Sequence, residues 1–166
     1  MTVKKRNRTF ITAALCLALC LVVCGAVAFA DTADGGRKTV YVSNINEFLN
    51  AIAPDTEIVM SPGTYNITEA DAYQYGIGGK YYTWNNYYFS GEYELQINFA
   101  DNLKITGYDA ELLTEPRSTN VLTFYGCYGV RIDGLTLGHT MAAEACEGCV
   151  LRLDNCNGAN IDGCSL

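Results

Sequence analysis

Residues 95–110 (LQINFADNLKITGYDA), 122–137 (LTFYGCYGVRIDGLTL) and 151–166 (LRLDNCNGANIDGCSL) can be written one above another without a gap, their starts 27 and 29 residues apart. Leu95, Leu122 and Leu151 then align, as do Ile97, Phe124 and Leu153. Ile105, Ile132 and Ile161 align, each followed by Thr106, Asp133 or Asp162 and then by Gly107, Gly134 or Gly163. Cys127 falls over Cys156. Within each segment the apolar residues alternate, which is the period of a strand, and Asn, Asp and Gly supply the turns between.

A spacing in this range marks a stack in which one coil cannot bury its own apolar face and its neighbours supply the core. Two or three short strands per coil with tight turns predict an all-β fold, a right-handed parallel β-helix over residues 39–166. A leucine-rich repeat would need a shorter L-x-x-L-x-L period, which is missing. Ahead of the coils, Thr39 to Val42 reads as a first strand. An amphipathic helix follows, with Asn44 as N-cap, Glu47 as capping-box partner, and Ile45, Phe48, Leu49 and Ile52 in one stripe ended by Pro54. It is expected to lid the first coil, whose strand edges would otherwise face water.

Residues 1–30 read as an export signal. Lys4, Lys5, Arg6 and Arg8 precede an apolar run, and Ala28-Phe29-Ala30 makes an A-x-A cleavage site. The rival reading is an uncleaved membrane anchor. Lipidation at Cys24 fits poorly, because bulky Val23 precedes it. The predicted location is secreted or cell-surface, with membrane contact only through residues 1–30 if they are kept. This stretch holds four of the 11 basic residues and none of the 18 acidic ones, so the remainder carries −11. That balance argues against a nucleic-acid partner, which needs a basic patch. Residues 31–38 read as a short polar tether.

Residues 57–67 form the first full coil: strand, Ser-Pro-Gly turn, strand. Asn66-Ile67-Thr68 matches a glycosylation acceptor. Residues 71–94 then break the rhythm with nine aromatic residues among Gly and Asn. Excursions of this kind often carry a binding surface. One reading makes Trp84, Tyr82 and Tyr87 a platform on which sugar rings stack, giving a polysaccharide or cell-envelope glycan as partner. The other makes the aromatics packing against the coils, their polar tips outward. Gly76 to Lys80 lacks the spacing of a phosphate loop.

His139, the only histidine, and Arg117, in Glu115-Pro116-Arg117, lie on connections and join the candidate ligand-binding residues. Cys146-Glu147-Gly148-Cys149 is a single C-x-x-C, which with His139 is a weak zinc candidate and equally a disulfide. Cys127 and Cys156 are expected to stack on adjacent coils. Asp133 and Asp162 read as turn residues before Gly. No cofactor motif is present, and the catalytic residues, if any, are not identified.

Several stretches also resemble a known group: residues 57–67, Tyr82-Thr83-Trp84, residues 112–117, Asn120-Val121-Leu122, residues 134–140 and residues 148–151. They are similar to exported bacterial right-handed parallel β-helix repeat proteins of the pectin-lyase-like superfamily. The resemblance implies the fold and leaves activity open. Such proteins tend to continue with another Gly/Cys-rich coil, so the stop at Leu166 suggests a fragment lacking its C-terminal coils. It also implies a possible polysaccharide lyase or glycoside hydrolase, which would use clustered carboxylates that do not map onto this chain.

Overall fold

The computed structural model describes residues 36–86, 91–140 and 147–166. The expected signal or anchor (1–30), most of the tether, Tyr87 and Cys146 lie outside the described residues. Among the described residues no helix is long and apolar enough to cross a membrane.

The chain is β-rich. Its strands are β1 (Lys38–Val42), β2 (Thr56–Met60), β3 (Gly63–Asn66), β4 (Tyr82–Asn85), β5 (Glu94–Asn98) and β6 (Lys104–Thr106). They continue as β7 (Ala110–Thr114), β8 (Leu122–Tyr125), β9 (Arg131–Asp133), β10 (Thr136–His139), β11 (Leu151–Asp154) and β12 (Asn160–Asp162). Sheet A has the order β1-β2-β6-β9-β12, sheet B β10-β7-β3 and sheet C β11-β8-β5-β4. From β2 onward the chain visits A, B and C in the same succession, and every pairing is parallel except β4 with β5.

The residues aligned from sequence are strand partners. Ile105 faces Ile132 and Ile132 faces Ile161 in sheet A, while Ile97 faces Phe124 and Phe124 faces Leu153 in sheet C. Their side chains meet inside: Leu95, Ile97, Ile105, Leu112, Leu122, Phe124 and Ile132 are fully buried. The alternate residues face out, so Lys104 reaches both Glu57 on β2 (2.9 Å) and Asp133 on β9 (3.5 Å). Asp133 therefore ends a strand and anchors an ion pair. Gly134, the next residue, takes the left-handed angle expected of it, at φ 68°. Corner backbones also ladder: the N–H of Asn102 bonds the Tyr128 carbonyl, and that of Gly129 the Asn157 carbonyl.

Helix α1 (Ile45–Ala51) packs on β1 and β2 with Phe48 fully buried. The Asn44 side chain accepts the Glu47 N–H at 2.9 Å. The Glu47 carboxylate returns to the Ser43 N–H (2.8 Å) and hydroxyl (2.9 Å), one residue before the position a capping box prescribes. The end of the tether is not free: Arg37 is buried, its guanidinium on the carbonyl and Oδ1 of Asn102. Ile67, read as the end of a strand, opens a 3-10 turn (Ile67–Glu69) capped by the Asn66 side chain.

Candidate functional site

The 3-10 turn after β3 and the start of the β7–β8 connection lie at one corner, where the surface opens into a cleft of about 520 Å³. Thr68 and Glu69 come from the 3-10 turn and Tyr73 from the rest of the β3–β4 connection, Glu92 from the stretch between β4 and β5, and Glu115, Pro116 and Arg117 from the β7–β8 connection. Asn66 ties two of these segments together. Its Nδ2 lies 3.4 Å from Glu69 Oε1 and 3.2 Å from Glu115 Oε1, so both carboxylates converge on one amide. Its Oδ1 accepts from the Thr68 N–H (3.1 Å) and hydroxyl (2.7 Å). The Asn66 side chain is thus buried and fully engaged, which removes the glycosylation reading in the folded chain. Ser118 donates to Glu92 at 2.6 Å and orients the third carboxylate.

Tyr73 forms the aromatic wall. Its ring stands edge-on to Trp84 (centroids 5.3 Å apart, planes at 84°) and to Tyr93 (5.5 Å, 89°). Its hydroxyl oxygen accepts the Tyr93 N–H at 3.1 Å. Burial raises the Tyr73 phenol above its ordinary pKa, and the Glu92 and Glu115 charges push the same way against the Tyr93 N–H. The phenol stays protonated across the neutral range and is a donor.

Trp84 and Tyr82 lie behind this wall. Each is only 8% exposed, with rings edge-on at 5.9 Å, and the Trp84 indole N–H donates to the Ile77 carbonyl at 3.0 Å. A sugar platform needs an open ring face, so neither residue offers one; together they hold Tyr73. The reason is register. Tyr82 is paired with Ile97 and Trp84 with Leu95, both inward-facing, so the hairpin turns the two aromatics inward. Aromatic faces are open elsewhere, at the corner between sheets C and A. Phe99 is 61% exposed, edge-on to Tyr125 at 5.8 Å, with exposed Tyr128 on the next connection.

Arg117 lines the cleft, and its carbonyl accepts the N–H groups of Glu147 and Gly148. His139 ends β10, its Nε2 3.0 Å from the Thr119 carbonyl oxygen. The Cys149 N–H donates to Asn120 Oδ1 at 2.8 Å, and its side chain is exposed. Among the described residues no group of three or more His, Cys, Asp or Glu is placed to hold a metal ion. A second and larger hollow, about 630 Å³, lies beside β1 and α1, where Lys38, Glu47, Asn50 and Asp55 join Val40, Ala53 and Pro54 in its lining.

Sequence reasoning passed over Glu69, Thr68 and Glu92 as site residues. Thr68 and Glu69 share the 3-10 turn while Glu92 lies more than twenty residues on, between β4 and β5, and no sequence signal joins the two stretches. Searched against models of known families, curated proteins and solved structures, the chain matches none.

Proposed function

We propose that the chain is an exported right-handed parallel β-helix protein that binds saccharide in the cleft between sheets B and C. The cyclic order of three parallel sheets supports the architecture. The observation that carries the function is the cleft itself. It sets a fixed Tyr73 wall beside carboxylates, a guanidinium and a hydroxyl, the planar and polar groups that read sugar hydroxyls from a concave site. Three carboxylates against one guanidinium favour neutral or amine-bearing sugars over uronates, because an anionic ligand meets net repulsion. Here the reading departs from the polyanionic substrates that a pectin-lyase-like resemblance brings to mind.

The test is a glycan array followed by calorimetric titration, using the chain from Asp31 onward, with folding checked by circular dichroism. Arg117→Ala and Glu115→Gln should each weaken binding about tenfold or more without loss of fold. Trp84→Ala, by contrast, should act through stability, at about 3–5 kcal/mol. Binding that survives both cleft variants and disappears with Phe99→Ala would move the site to the exposed aromatic corner and refute the proposal.

A second reading, hydrolysis of the bound glycan, is favoured by one observation: Glu69 and Glu115 are held close together by the shared Asn66 amide. Paired carboxylates at short separation serve as acid and nucleophile in retaining glycosidases. Release of reducing sugar by the native chain and its loss in Glu115→Gln would support it. Binding without turnover would leave a lectin-like role.

A further inference from the structure

Cys127 and Cys156 occupy equal places on successive rungs. Tyr125 pairs with Asp154 and Tyr128 bridges Asn157, so the residues between are matched one to one. The thiols repeat the same local geometry. Cys127 Sγ lies 3.5 Å from the Tyr125 carbonyl oxygen and 3.8 Å from that of Ile97; Cys156 Sγ lies 3.3 Å from Asp154 and 3.5 Å from Phe124. Ile97 and Phe124 are themselves strand partners, as are Tyr125 and Asp154. One thiol is therefore the other translated by one rung, a separation of about 4.8 Å.

That distance suits one kind of ligand. Taking the roughly 2.3 Å of a zinc–thiolate bond as the scale, a linear sulfur–metal–sulfur unit spans about 4.6 Å, so a soft ion reaches both thiols with only a small side-chain adjustment. A disulfide needs sulfurs about 2.04 Å apart, so both side chains would have to leave their carbonyl partners. A tetrahedral ion needs further ligands, and none converge among the described residues.

We propose that Cys127 and Cys156 form a two-coordinate site for a soft monovalent cation of the copper(I) class, which thiolates select over harder ions. Two thiols and one cation give a bis-thiolate complex of charge −1, and two protons leave to solvent. Cys127 is fully buried whereas Cys156 is half-exposed, so ion and protons pass on the Cys156 side and the residual charge stays hydrated there. Burial pushes the Cys127 thiol up to about 11, and metal binding to thiols releases protons, which makes proton release a readout of binding.

The probe is silver(I), which does not change oxidation state. The reduced full-length chain, under argon, receives one equivalent, and free thiols are then alkylated and located by peptide mass spectrometry. Alkylation of Cys156 should fall at least tenfold, native mass should show one silver and two protons lost, and absorption at the silver edge should show two sulfur neighbours. Cys127→Ser should restore Cys156 alkylation, while Cys149→Ser should leave protection intact. Cys156 still reactive with silver bound, three or more sulfur neighbours, or a Cys127–Cys156 cystine in the argon-purified chain would each overturn the proposal. The edge spectrum is taken on the unmutated chain, so the outcome does not depend on the folding of any variant.

Discussion

Ile58, Ile105, Ile132 and Ile161 form one continuous row across sheet A, so truncating them one at a time varies burial while chemistry and register stay fixed. Ile132 is fully buried, with Ile105 on one side and Ile161 on the other. Ile132→Ala removes three carbons, about 2.4 kcal/mol at roughly 0.8 kcal/mol per methylene. Neighbours on both sides prevent collapse, and the cavity left behind adds about 1–2 kcal/mol. The expected total is about 3.5–4.5 kcal/mol. Ile161 is half-exposed on the last rung described, with a partner on one side. Ile161→Ala loses about half the transfer energy and leaves no enclosed void, for about 1–1.5 kcal/mol. Urea melts followed by circular dichroism give both values from the midpoints, provided the slopes match the unmutated chain. Equal costs at the two positions, or less than about 1.5 kcal/mol at Ile132, would refute the idea that stacked neighbours make the core.

Gly134→Ala places a Cβ 2.4 Å from the Tyr108 ring at a backbone φ of 68°, and should cost about 2–3 kcal/mol. Adding Tyr108→Ala should recover the steric share and leave about 1 kcal/mol of left-handed strain, read from a double-mutant cycle. Lys104→Met strands the Glu57 and Asp133 carboxylates and should cost about 1–3 kcal/mol near neutral pH. The Glu57 carboxylate raises the Lys104 pKa, first by hydrogen bonding. Its contribution is therefore complete below the ordinary lysine value and fades as pH rises through the elevated one, which alkaline melts of the two chains should show. The Glu47 pKa is lowered chiefly by the Ser43 N–H and hydroxyl. Its stabilisation is present above the ordinary carboxylate value and lost as pH falls through the depressed one, so Glu47→Gln should destabilise at pH 6 and converge with the unmutated chain in acid.

The rungs were legible because a half-buried strand must alternate and its turns need small residues. Ile-x-Gly records a left-handed turn at Gly134 and Gly163, while at Gly107 it records the close approach of the Leu135 side chain. The helix was legible for a similar reason, since Asn44, Glu47 and the apolar stripe act over one or two turns. The cleft was not. Glu69, Glu92 and Glu115 become neighbours only through the strand order, and a sequence read along its length gives no hint that Asn66 holds two of them. Trp84 misleads for a different reason: an aromatic run has no period that tells a wall from its backing. Yet Tyr82 and Trp84 are two residues apart, so on a strand they had to share a face. Only the antiparallel register with β5 decides which face that is.

The three corners differ in one respect that bears on engineering. Sheet C returns to sheet A through residues 99–103, 126–130 and 155–159, the same length each time, and A passes to B through two or three residues. Sheet B reaches sheet C through 67–81, 115–121 and 140–150, three different lengths, and the first visit adds the extra strand β4 before β5. The C-to-A corner, of one length on every rung, acts as a fixed gauge that meters the chain. The B-to-C corner tolerates cargo. A foreign peptide or reporter domain spliced there should leave the gauge untouched, whereas a residue added in the C-to-A corner would break the matched backbone contacts of Asn102 with Tyr128 and of Gly129 with Asn157.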